Sequence, residues 1–366
     1  MNPRNVPPNP SLSVIDAPQA ADALAQALRV RASGGVPLII DARAPVSQDV
    51  LNTALPDTAA WAGLTSGTTG APKIVVRDAS SWQVAFEPLN AELGLGAGDG
   101  LWMPVHQVSS IAMFSAAWTH ATELELVIPQ RDDPGLCRAV AAHVTPVWLE
   151  RLVQRLEAGE ASTLHTVLVG GDRLNPVLAA RAESVGLRVI SYVGAAELSL
   201  VAWDTGNGLR AFPGVATRIV HGELWIASDQ IALEVLGGAL RRTTVDGICW
   251  ATVGDRVLKH DDGTLTFRGR VDGAILTAGA TVVPSDVETV INQHPDVAAC
   301  LVLGQSDAVL GQRVVAWVEG TAQISQLRDW VRGRLPKAAR PVQWHTVDRL
   351  ARTVSGKIRR VVPEDT

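Results

Sequence analysis

The 366 residues of this chain, of which 47% are hydrophobic and 19% charged, are enough for roughly two domains with packed cores, which excludes a disordered protein. The 32 basic and 37 acidic side chains give a formal charge of −5, and this acidic balance argues against a nucleic-acid-binding protein, which would need a basic face. The three cysteines, Cys137, Cys249 and Cys300, lie far apart in the sequence, so neither a disulfide framework nor a thiolate zinc site is expected.

The hydrophobic residues form no segment long enough to cross a membrane. A spanning helix requires about 18 consecutive apolar residues, and no stretch of the sequence reaches that length. The N-terminal region is rich in proline and lacks the apolar core of a signal peptide. We therefore predict a cytoplasmic protein.

In the first half of the chain, apolar strand-like runs alternate with helical patterns. The predicted elements, in chain order, are a helix over residues 17–31, a buried strand over 36–41, a strand over 124–128, a helix over 135–143, a strand over 164–170, a helix over 176–185 and a strand over 187–194. Strand–helix–strand alternation with apolar strands is typical of an α/β domain with a largely parallel sheet. The predicted fold class is therefore α/β, with parallel-rich sheet layers in a large N-terminal domain.

The pattern changes twice toward the C-terminus. From about residue 209 to 271 the sequence has short β-runs joined by close turns, which indicates a small antiparallel β subdomain that completes the large domain. The elements predicted after it are a helix over 284–293, strands over 297–304 and 313–319, a helix over 323–335 and a third strand over 341–347. These would form a small α+β domain, so we predict two domains, 1–271 and 272–366.

The segment LTSGTTGAPK, residues 64–73, has the composition of a phosphate-binding loop. Small residues let backbone N–H groups approach an anion closely, hydroxyls add donors, and Lys73 supplies a positive charge. The segment does not fit the Walker A pattern, and because a strand-like IVVR run follows it, the loop would join two strands. The alternative is an ordinary solvated turn, and composition alone favours neither interpretation.

Three further signals are weaker. His106 stands in the apolar segment WMPVHQ, where a packed histidine is commoner than a catalytic one. Asp255 ends a β-run and would either cap a turn or hold the hydroxyls of a ribose. The segment RTVSGKIRR, residues 352–360, is either a solvated basic tail or a mobile element that delivers a lysine to a phosphate.

Taken in chain order, these segments resemble the signature motifs of the ANL superfamily of adenylate-forming enzymes, which includes acyl-CoA and aryl-CoA ligases. Six stretches carry the resemblance: LTSGTTGAPK (64–73), LVGGDRL (168–174), VGAAELS (193–199), TVGDRV (252–257), FRGRVDGAILTAGATVVPSDVE (267–288) and RTVSGKIRR (352–360). In that order they are similar to the phosphate loop, the adenine-side glycine segment, the aromatic-Gly-x-Thr-Glu motif, the ribose-binding aspartate motif, the hinge motif and the terminal lysine motif. The resemblance covers nearly the whole chain after residue 60.

The resemblance implies a role for each matching residue. Glu197 would coordinate Mg²⁺, and Lys357 would bridge the substrate carboxylate and the α-phosphate of ATP. Asp272 would be the hinge, Gly279 would lie near the pantetheine of CoA, and His106 would match a histidine of the acyl pocket. The implied ATP-binding residues are Ser66, Gly67, Thr68, Thr69, Gly70 and Lys73 at the phosphates, Gly170, Gly171, Asp172, Val193 and Gly194 on the adenine side, Asp255 at the ribose, and Arg270 at the ribose or phosphate.

The reaction that the resemblance implies has two halves. A carboxylate attacks the α-phosphate of ATP, pyrophosphate leaves, and an acyl-adenylate stays bound. The mobile C-terminal domain then rotates about the hinge, and a thiol attacks the adenylate. Mg²⁺ is the implied cofactor, ATP, CoA and a small carboxylic acid are the substrates, and the thiol of an acyl carrier protein is an alternative acceptor. A homodimer is expected only because dimers are the commonest closed assemblies.

Several positions depart from the superfamily pattern. Val193 stands where a tyrosine beside adenine is usual, with Tyr192 displaced by one residue, and Ala196 replaces the threonine before Glu197. Adenine stacking would therefore be weaker or made by another side chain. The N-terminal subdomain is expected to be shortened, a form that resembles compact o-succinylbenzoate–CoA ligases. The stretches VGAAELSLVA and FPGVATRI resemble instead compact fatty-acyl-CoA ligase-like proteins.

We therefore predict an ATP-dependent carboxylate–CoA ligase that acts on a fatty or other apolar monocarboxylate. The apolar segment 102–118 would line the acyl pocket and offers no arginine for a second carboxylate. The alternatives are an o-succinylbenzoate–CoA ligase, and adenylation with transfer to a carrier protein. A degenerate nucleotide-binding protein without turnover is the alternative of a different class, which the departures at Val193 and Ala196 suggest.

Overall fold

The computed structural model describes residues 10–40, 46–65, 73–270, 274–277, 280–307, 309–353 and 357–363. The helices in these ranges are α1 (Ala20–Ala32), α2 (Gln48–Leu51), α3 (Ser80–Leu93), α4 (Ser110–Ala121), α5 (Pro146–Glu157), α6 (Pro176–Ser184), α7 (Pro284–Asn292) and α8 (Ile324–Arg332). The strands are β1 (Leu12–Ile15), β2 (Val36–Ile39), β3 (Trp61–Thr65), β4 (Lys73–Arg77), β5 (Gly100–Trp102), β6 (Glu125–Val127), β7 (Ala141–Val144), β8 (Thr166–Val169), β9 (Arg188–Ala195), β10 (Ser199–Asp204), β11 (Arg210–Ala211), β12 (Ala216–Val220), β13 (Glu223–Ala227), β14 (Glu234–Leu236), β15 (Arg241–Val245), β16 (Ile248–Thr252), β17 (Asp255–Lys259), β18 (Leu265–Arg270), β19 (Ile275–Thr277), β20 (Ala280–Val282), β21 (Val297–Asp307), β22 (Gly311–Gly320) and β23 (Gln343–Val347).

A seven-stranded sheet forms the centre of the N-terminal part, with the strand order β11-β10-β9-β8-β7-β5-β6. The strands from β6 to β9 run parallel, and β10 and β11 add antiparallel pairs at one edge. Every residue of β7 and β8 is buried, as parallel strands require when helices cover both faces. The carboxyl ends of the parallel strands lie together, and open α/β sheets bind ligands at that edge.

Helices cover both faces of this sheet. On one face, α3 and α4 contribute a cluster of aromatic side chains, in which Phe114 and Trp118 pack with ring centroids 6.0 Å apart. On the other face, α5 and α6 pack through leucine, valine and alanine side chains. Alternate residues of β8 point to the two layers: Leu168 packs with α3 and α4, whereas Val167 and Val169 pack with α5 and α6.

Smaller sheets flank the central one. Strand β4 lies between β3 and β14 in an antiparallel three-stranded sheet, and β1 pairs with β2 in parallel. The segment from β12 to β18, apart from β14, forms the antiparallel sheet that the sequence predicts after residue 209. The short β-runs with close turns in the sequence therefore do form a β subdomain.

The C-terminal part has its own sheet, in which β20, β19, β22 and β21 follow one another and β23 pairs with β22 in parallel. Helices α7 and α8 cover one face over a core that includes Val287, Val302 and Leu327. Trp317 lies in a separate cluster on the other face, against which Ile358 of the C-terminal segment packs. The predicted boundary at 271–272 falls outside the described residues and stays a prediction.

The predicted α/β class is confirmed, but one predicted element is wrong. Residues 135–143 do not form a helix: Gly135 has a left-handed φ of 74°, and Ala141–Val144 is strand β7 in the centre of the sheet. The run is rich in alanine, which is a good helix former, and for that reason its pattern predicts a helix. In the structure the alanine side chains fill a fully buried strand. Among the described residues, no helix combines the length and apolar character needed to cross a bilayer.

Candidate active site

Strand β4 presents Lys73, Val75 and Arg77 on one face, because alternate residues of a strand point to the same side. In its antiparallel pairing with β3, Thr65 lies opposite Lys73. The prediction that the segment between them joins two strands is therefore confirmed. The predicted phosphate-binding residues that lie outside the described part of the chain are Ser66, Gly67, Thr68, Thr69 and Gly70.

The side chain of Lys73 lies directly over Gly238, in the loop that follows β14. A Cβ atom at position 238 would come within 2.7 Å of Cδ, 2.9 Å of Cε and 3.2 Å of Nζ of Lys73. Glycine therefore leaves the space that the lysine side chain occupies.

Replacement of Gly238 by alanine is expected to displace the Lys73 ammonium group and to raise the KM for ATP by about threefold to tenfold, equivalent to about 0.7–1.4 kcal/mol. The free energy of unfolding should change little, because the displaced atoms belong to the flexible end of a side chain. Kinetics of ATP–pyrophosphate exchange and thermal unfolding measure the two effects. Gly63→Ala is the matched control on β3, because no atom of the described residues lies within 4 Å of the position that its Cβ would take. An unchanged KM for ATP in Gly238→Ala would contradict the assignment of Lys73.

The turn between β9 and β10, which carries Glu197, contacts β4 through Ala196. Ala196 packs against the small apolar cluster that contains Val75, which explains why a methyl group is accommodated at this position. The buried guanidinium group of Arg77 donates hydrogen bonds to the carbonyl oxygen of Ala196 through Nε, over 3.1 Å, and through Nη2. The turn that carries the half-buried Glu197 is thus attached to β4, the strand that begins at Lys73.

Two glycines follow β8 at the carboxyl edge of the central sheet. The N–H of Gly170 donates to the carbonyl oxygen of Val144 over 3.0 Å, and Gly171 has a left-handed φ of 91°. A Cβ atom on Gly171 would lie 3.3 Å from Cδ1 of Ile111 and 3.4 Å from Cγ2 of Thr145. Asp172 next to them is exposed. Neighbouring side chains thus pack against this edge at Gly171, and the adenine-side role of the segment stays a prediction.

Tyr192 points into the layer between the sheet and α4. Its hydroxyl group is 3.0 Å from Nε2 of His143, and Nδ1 of His143 is 2.8 Å from Oγ of Ser115. Burial raises the pKa of Tyr192 and lowers the pKa of His143 from 6.5 to about 3, so the imidazole is neutral. The ring of Tyr192 also lies directly against Gly170. Val193 and Gly194 continue β9, and their adenine-side roles stay predictions.

The stability of the protein is expected to fall at acid pH because His143 is buried in its neutral form. Below its ordinary pKa of 6.5 the unfolded chain binds a proton that the folded chain does not bind until about pH 3. The free energy of unfolding should therefore fall by about 1.4 kcal/mol for each pH unit between these values, and by roughly 2 kcal/mol between pH 6.5 and pH 5. Urea unfolding at pH 7.5 and pH 5 measures this loss. His143→Gln should lose less stability over that interval, and an equal loss in both proteins would show that other groups cause it.

Asp255 and Arg270 are backbone partners in the antiparallel register of β17 and β18. The turn before Asp255 is fixed because the N–H of Gly254 donates to Oγ1 of Thr252 over 3.0 Å. The loop after β8 reaches the same strands, since Nη2 of Arg173 donates to the carbonyl oxygen of Phe267 over 2.7 Å. The structure therefore brings the predicted adenine-side loop and the predicted ribose aspartate into one region.

Lys357 lies at the end of a short antiparallel bridge in which Arg352 is opposite Ile358. Its N–H donates to Oγ1 of Thr353 over 3.2 Å, and its side chain is half-buried. Three residues later, Arg360 forms an ion pair of 3.0 Å with Glu288 on α7. Residues 352–353 and 357–360 thus pair as the two arms of a hairpin rather than forming a solvated tail.

Helix α7 connects this hairpin to the N-terminal part. Nη1 of Arg173 donates to the carbonyl oxygen of Ser285 over 3.4 Å, and Nδ2 of Asn175 donates to that of Asn292 over 3.2 Å. Burial raises the pKa of Glu288; Arg360 opposes this effect and Asp172 adds to it, so Glu288 lies near the loop after β8. The predicted hinge Asp272 and the predicted CoA contact Gly279 lie outside the described residues.

His106 precedes α4, which begins next to the glycine loop through Ile111. The N–H of Val108 donates to Nδ1 of His106 over 3.4 Å, and the carbonyl oxygen of His106 accepts from the N–H of Ser109. These local contacts fix a turn, and they leave the predicted acyl-pocket role of His106 a prediction. From Ile111 to Thr119, every residue of α4 is buried in the core.

The carboxylate of Glu197 suits a metal ion that binds together with a nucleotide. Among the described residues, no group of three or more His, Cys, Asp or Glu side chains could hold a metal ion by itself. Mg²⁺ is usually bound by one or two carboxylates together with substrate phosphates. The single half-buried carboxylate of Glu197, in a turn attached to β4, fits that arrangement.

Sequence reasoning missed Arg77 and the Tyr192–His143–Ser115 network. Arg77 carries a usable signal, because it shares the alternation of Lys73 in the strand KIVVR and is a charged residue at the end of a buried run. His143 and Ser115 lie 28 residues apart on different elements, and no spacing in the sequence predicts their contact.

Comparisons with known proteins give matches over most of the chain. A family model described as AMP-binding enzyme matches residues 9–234, and one described as AMP-binding enzyme C-terminal domain matches residues 286–357. An uncharacterized acyl-CoA ligase of Bacillus subtilis, YhfT, is 26% identical over 85% of this chain and 69% of its own length. A 2-succinylbenzoate–CoA ligase of Salmonella typhimurium is 30% identical over 78% of this chain, which spans 64% of that relative.

A probable 2-succinylbenzoate–CoA ligase of Mycobacterium tuberculosis is 30% identical over 83% of this chain and 83% of its own length. Among solved structures, an arginine-to-lysine variant of Escherichia coli MenE with bound OSB-AMS superposes with a TM-score of 0.76 at 22% identity, over 93% of this chain and 84% of that one. The amide bond synthetase McbA of Marinactinospora thermotolerans gives a TM-score of 0.72 at 23% identity, over 95% and 78%. These structural matches show the fold.

Proposed function

Because the chain belongs to the family of AMP-binding enzymes, we propose that it is an ATP-dependent carboxylate–CoA ligase. The named relatives are CoA ligases, in line with the acid–thiol ligase expected from the motifs. The proposed reaction activates a carboxylic acid as an acyl-adenylate, releases pyrophosphate and passes the acyl group to the thiol of CoA.

The observation that carries this proposal is the shared face of β4. Lys73 begins the strand, and Ala196 attaches the Glu197 turn to Arg77 and to the cluster of Val75, so we infer that a cation and a carboxylate serve one ligand here. A triphosphate with its magnesium ion needs both. We infer that Lys73 neutralises charge on the leaving pyrophosphate while Glu197 binds the metal ion that accompanies ATP, which would supply electrostatic stabilisation of the phosphates.

The other roles extend this proposal to the residues around the carboxyl edge of the sheet. Asp255 would accept hydrogen bonds from the ribose hydroxyls, and the Gly170–Gly171 loop would admit the adenine ring. Lys357 would donate to the substrate carboxylate and the α-phosphate, where negative charge accumulates during attack. Arg270, Asp272 and Gly279 keep the roles that the motifs imply as parts of the same proposal.

The relatives support o-succinylbenzoate as the acid better than the fatty or apolar monocarboxylate predicted from the sequence. Two of the relatives named above are 2-succinylbenzoate–CoA ligases at 30% identity. The apolar segment expected to line a pocket for an apolar acid supplies helix α4, whose residues from Ile111 to Thr119 pack in the core. We therefore propose an aromatic dicarboxylate of this class as the substrate to test first.

ATP–pyrophosphate exchange tests the proposal directly. Purified protein with Mg²⁺, ATP and labelled pyrophosphate should exchange label only when an acid is added, and o-succinylbenzoate should stimulate more than benzoate or fatty acids of increasing length. Mass spectrometry after addition of CoA, or of a carrier protein bearing phosphopantetheine, identifies the acceptor thiol. Absence of exchange with every acid of the panel would contradict a ligase function and favour nucleotide binding without turnover.

A further inference from the structure

Arg77 is a buried charged residue to which no motif assigns a role. It stands at the end of β4, it is only 2% exposed, and its guanidinium carbon is 5.7 Å from the centroid of the Trp82 ring. Burying a charge without an ion-pair partner is costly. Among the described residues no carboxylate lies within ion-pair distance of Arg77, so its hydrogen bonds must account for its position.

Those hydrogen bonds join three separate segments. Nε and Nη2 donate to the carbonyl oxygen of Ala196, the residue before Glu197. Nη1 donates to the carbonyl oxygen of Gln230 over 2.5 Å and to Oγ of Ser81 over 3.5 Å. A planar guanidinium group with five N–H donors can satisfy carbonyls on both sides at once, which an ammonium group cannot do in the same geometry.

The segments that Arg77 joins also hold each other. The N–H of Ala232 donates to the carbonyl oxygen of Glu197 over 2.8 Å, and the N–H of Leu233 donates to that of Val76 over 2.8 Å. The backbone of Glu197 is therefore fixed on one side through Ala196 by Arg77, and on the other side by the loop that Arg77 holds through Gln230.

The charge of Arg77 acts on the same residue. Burial lowers the pKa of Arg77 to about 10, and the carboxylates of Glu197 and Asp78 oppose this effect. The guanidinium group is thus charged at neutral pH, with Glu197 as the first of the anions that stabilise it. Through its hydrogen bonds to Ala196 it holds the backbone of the Glu197 turn in place before a nucleotide binds.

We propose that Arg77 is a positioning residue that fixes the Glu197 turn against β4. The inference rests on the proposed role of Glu197 in binding magnesium and nucleotide. It predicts that loss of the guanidinium group loosens the turn itself and, through the turn, weakens the response to magnesium more than the response to the acid.

Two readouts test the proposal, and the first is independent of activity. Hydrogen exchange of the Leu198 and Ala232 amides, which donate to Ala195 and Glu197, should be at least tenfold faster in Arg77→Gln than in the wild type. In ATP–pyrophosphate exchange, the Mg²⁺ concentration for half-maximal rate should rise at least tenfold, with the KM for the acid changed less than threefold. Arg77→Lys, which keeps the charge and loses the fork of donors, should give intermediate values in both assays.

Arg242→Gln is the matched control. Arg242 also donates to carbonyl oxygens of this loop, those of Ala232 and Leu233, but it does not contact the Glu197 turn. It should leave the Leu198 amide and the magnesium dependence unchanged. Two results would overturn the proposal: hydrogen exchange of the Leu198 amide in Arg77→Lys at the wild-type rate, or a lower maximal rate of ATP–pyrophosphate exchange with unchanged magnesium dependence. If Arg77→Gln does not fold, Arg77→Lys alone serves for the test. Lack of exchange activity in the wild type would count against the proposed function instead, and the hydrogen-exchange result would still decide the role of Arg77.

Discussion

Replacement of Lys357 by alanine is expected to lower acid-dependent ATP–pyrophosphate exchange by about 100-fold or more, the usual effect of removing a donor to a developing negative charge. The second half-reaction should be retained, so the variant should still convert a preformed acyl-adenylate and CoA to the thioester. Exchange of label and mass spectrometry of the thioester measure the two steps separately. Equal loss of both steps would contradict the role of Lys357 in adenylation alone.

Loss of the Lys357 side chain should leave the fold of the segment around it unchanged. Arg352 pairs with Glu319 over 3.3 Å and Arg360 pairs with Glu288, so two ion pairs hold the segment without the lysine. Arg359→Ala is the control in the same hairpin, because the Arg359 side chain is exposed and its main-chain N–H keeps the bond to Ala351. This control should keep exchange activity within about twofold of the wild type, as surface substitutions usually do.

Gly170→Ala is expected to lower the free energy of unfolding by about 2–4 kcal/mol. A Cβ atom at this position would overlap the ring of Tyr192. Overpacking of a core typically costs about 1–3 kcal/mol, and moving the ring would also break the bond from Tyr192 to His143, which leaves a buried nitrogen unpaired. Urea unfolding followed by tryptophan fluorescence measures the loss.

A double-mutant cycle identifies the cause of this loss. In a Tyr192→Leu background the Gly170→Ala substitution should cost at least about 1 kcal/mol less, because the atoms that it meets have been removed. Gly96→Ala, where a Cβ atom would lie 3.8 Å from Asp99, is the control for the general effect of replacing glycine. Additive losses at positions 170 and 192 would show that the ring is not what limits position 170.

The fold was predictable where sequence pattern and packing agree. The apolar run of β8 and the short β-runs with close turns after residue 209 predict a buried parallel strand and an antiparallel subdomain, and both are present. The prediction of a helix around Ala141 is wrong because alanine favours helices in isolation, whereas its small side chain here fits between two covered faces. Tertiary packing therefore determines that residues 141–144 form strand β7 rather than part of a helix.

The site was predictable to the extent that it is local. The strands on either side of the phosphate-loop segment follow from short-range sequence. The contacts of Arg77 could not be predicted, because they span 119 residues to Ala196 and 153 to Gln230. Such contacts depend on how sheets are arranged in space, and a single sequence carries no record of that arrangement.

The way in which the loop after β8 contacts α7 affects what can be exchanged between related proteins. Arg173 and Asn175 donate to main-chain oxygens of Ser285 and Asn292, near the two ends of the helix, and the carbonyl of Asn292 is among those that a helix leaves without an internal partner. These hydrogen bonds depend on the path of the helix backbone and not on most of the helix side chains. A C-terminal part grafted from a distant relative should therefore dock on this chain without redesign of this interface, provided that the helix equivalent to α7 has the same length.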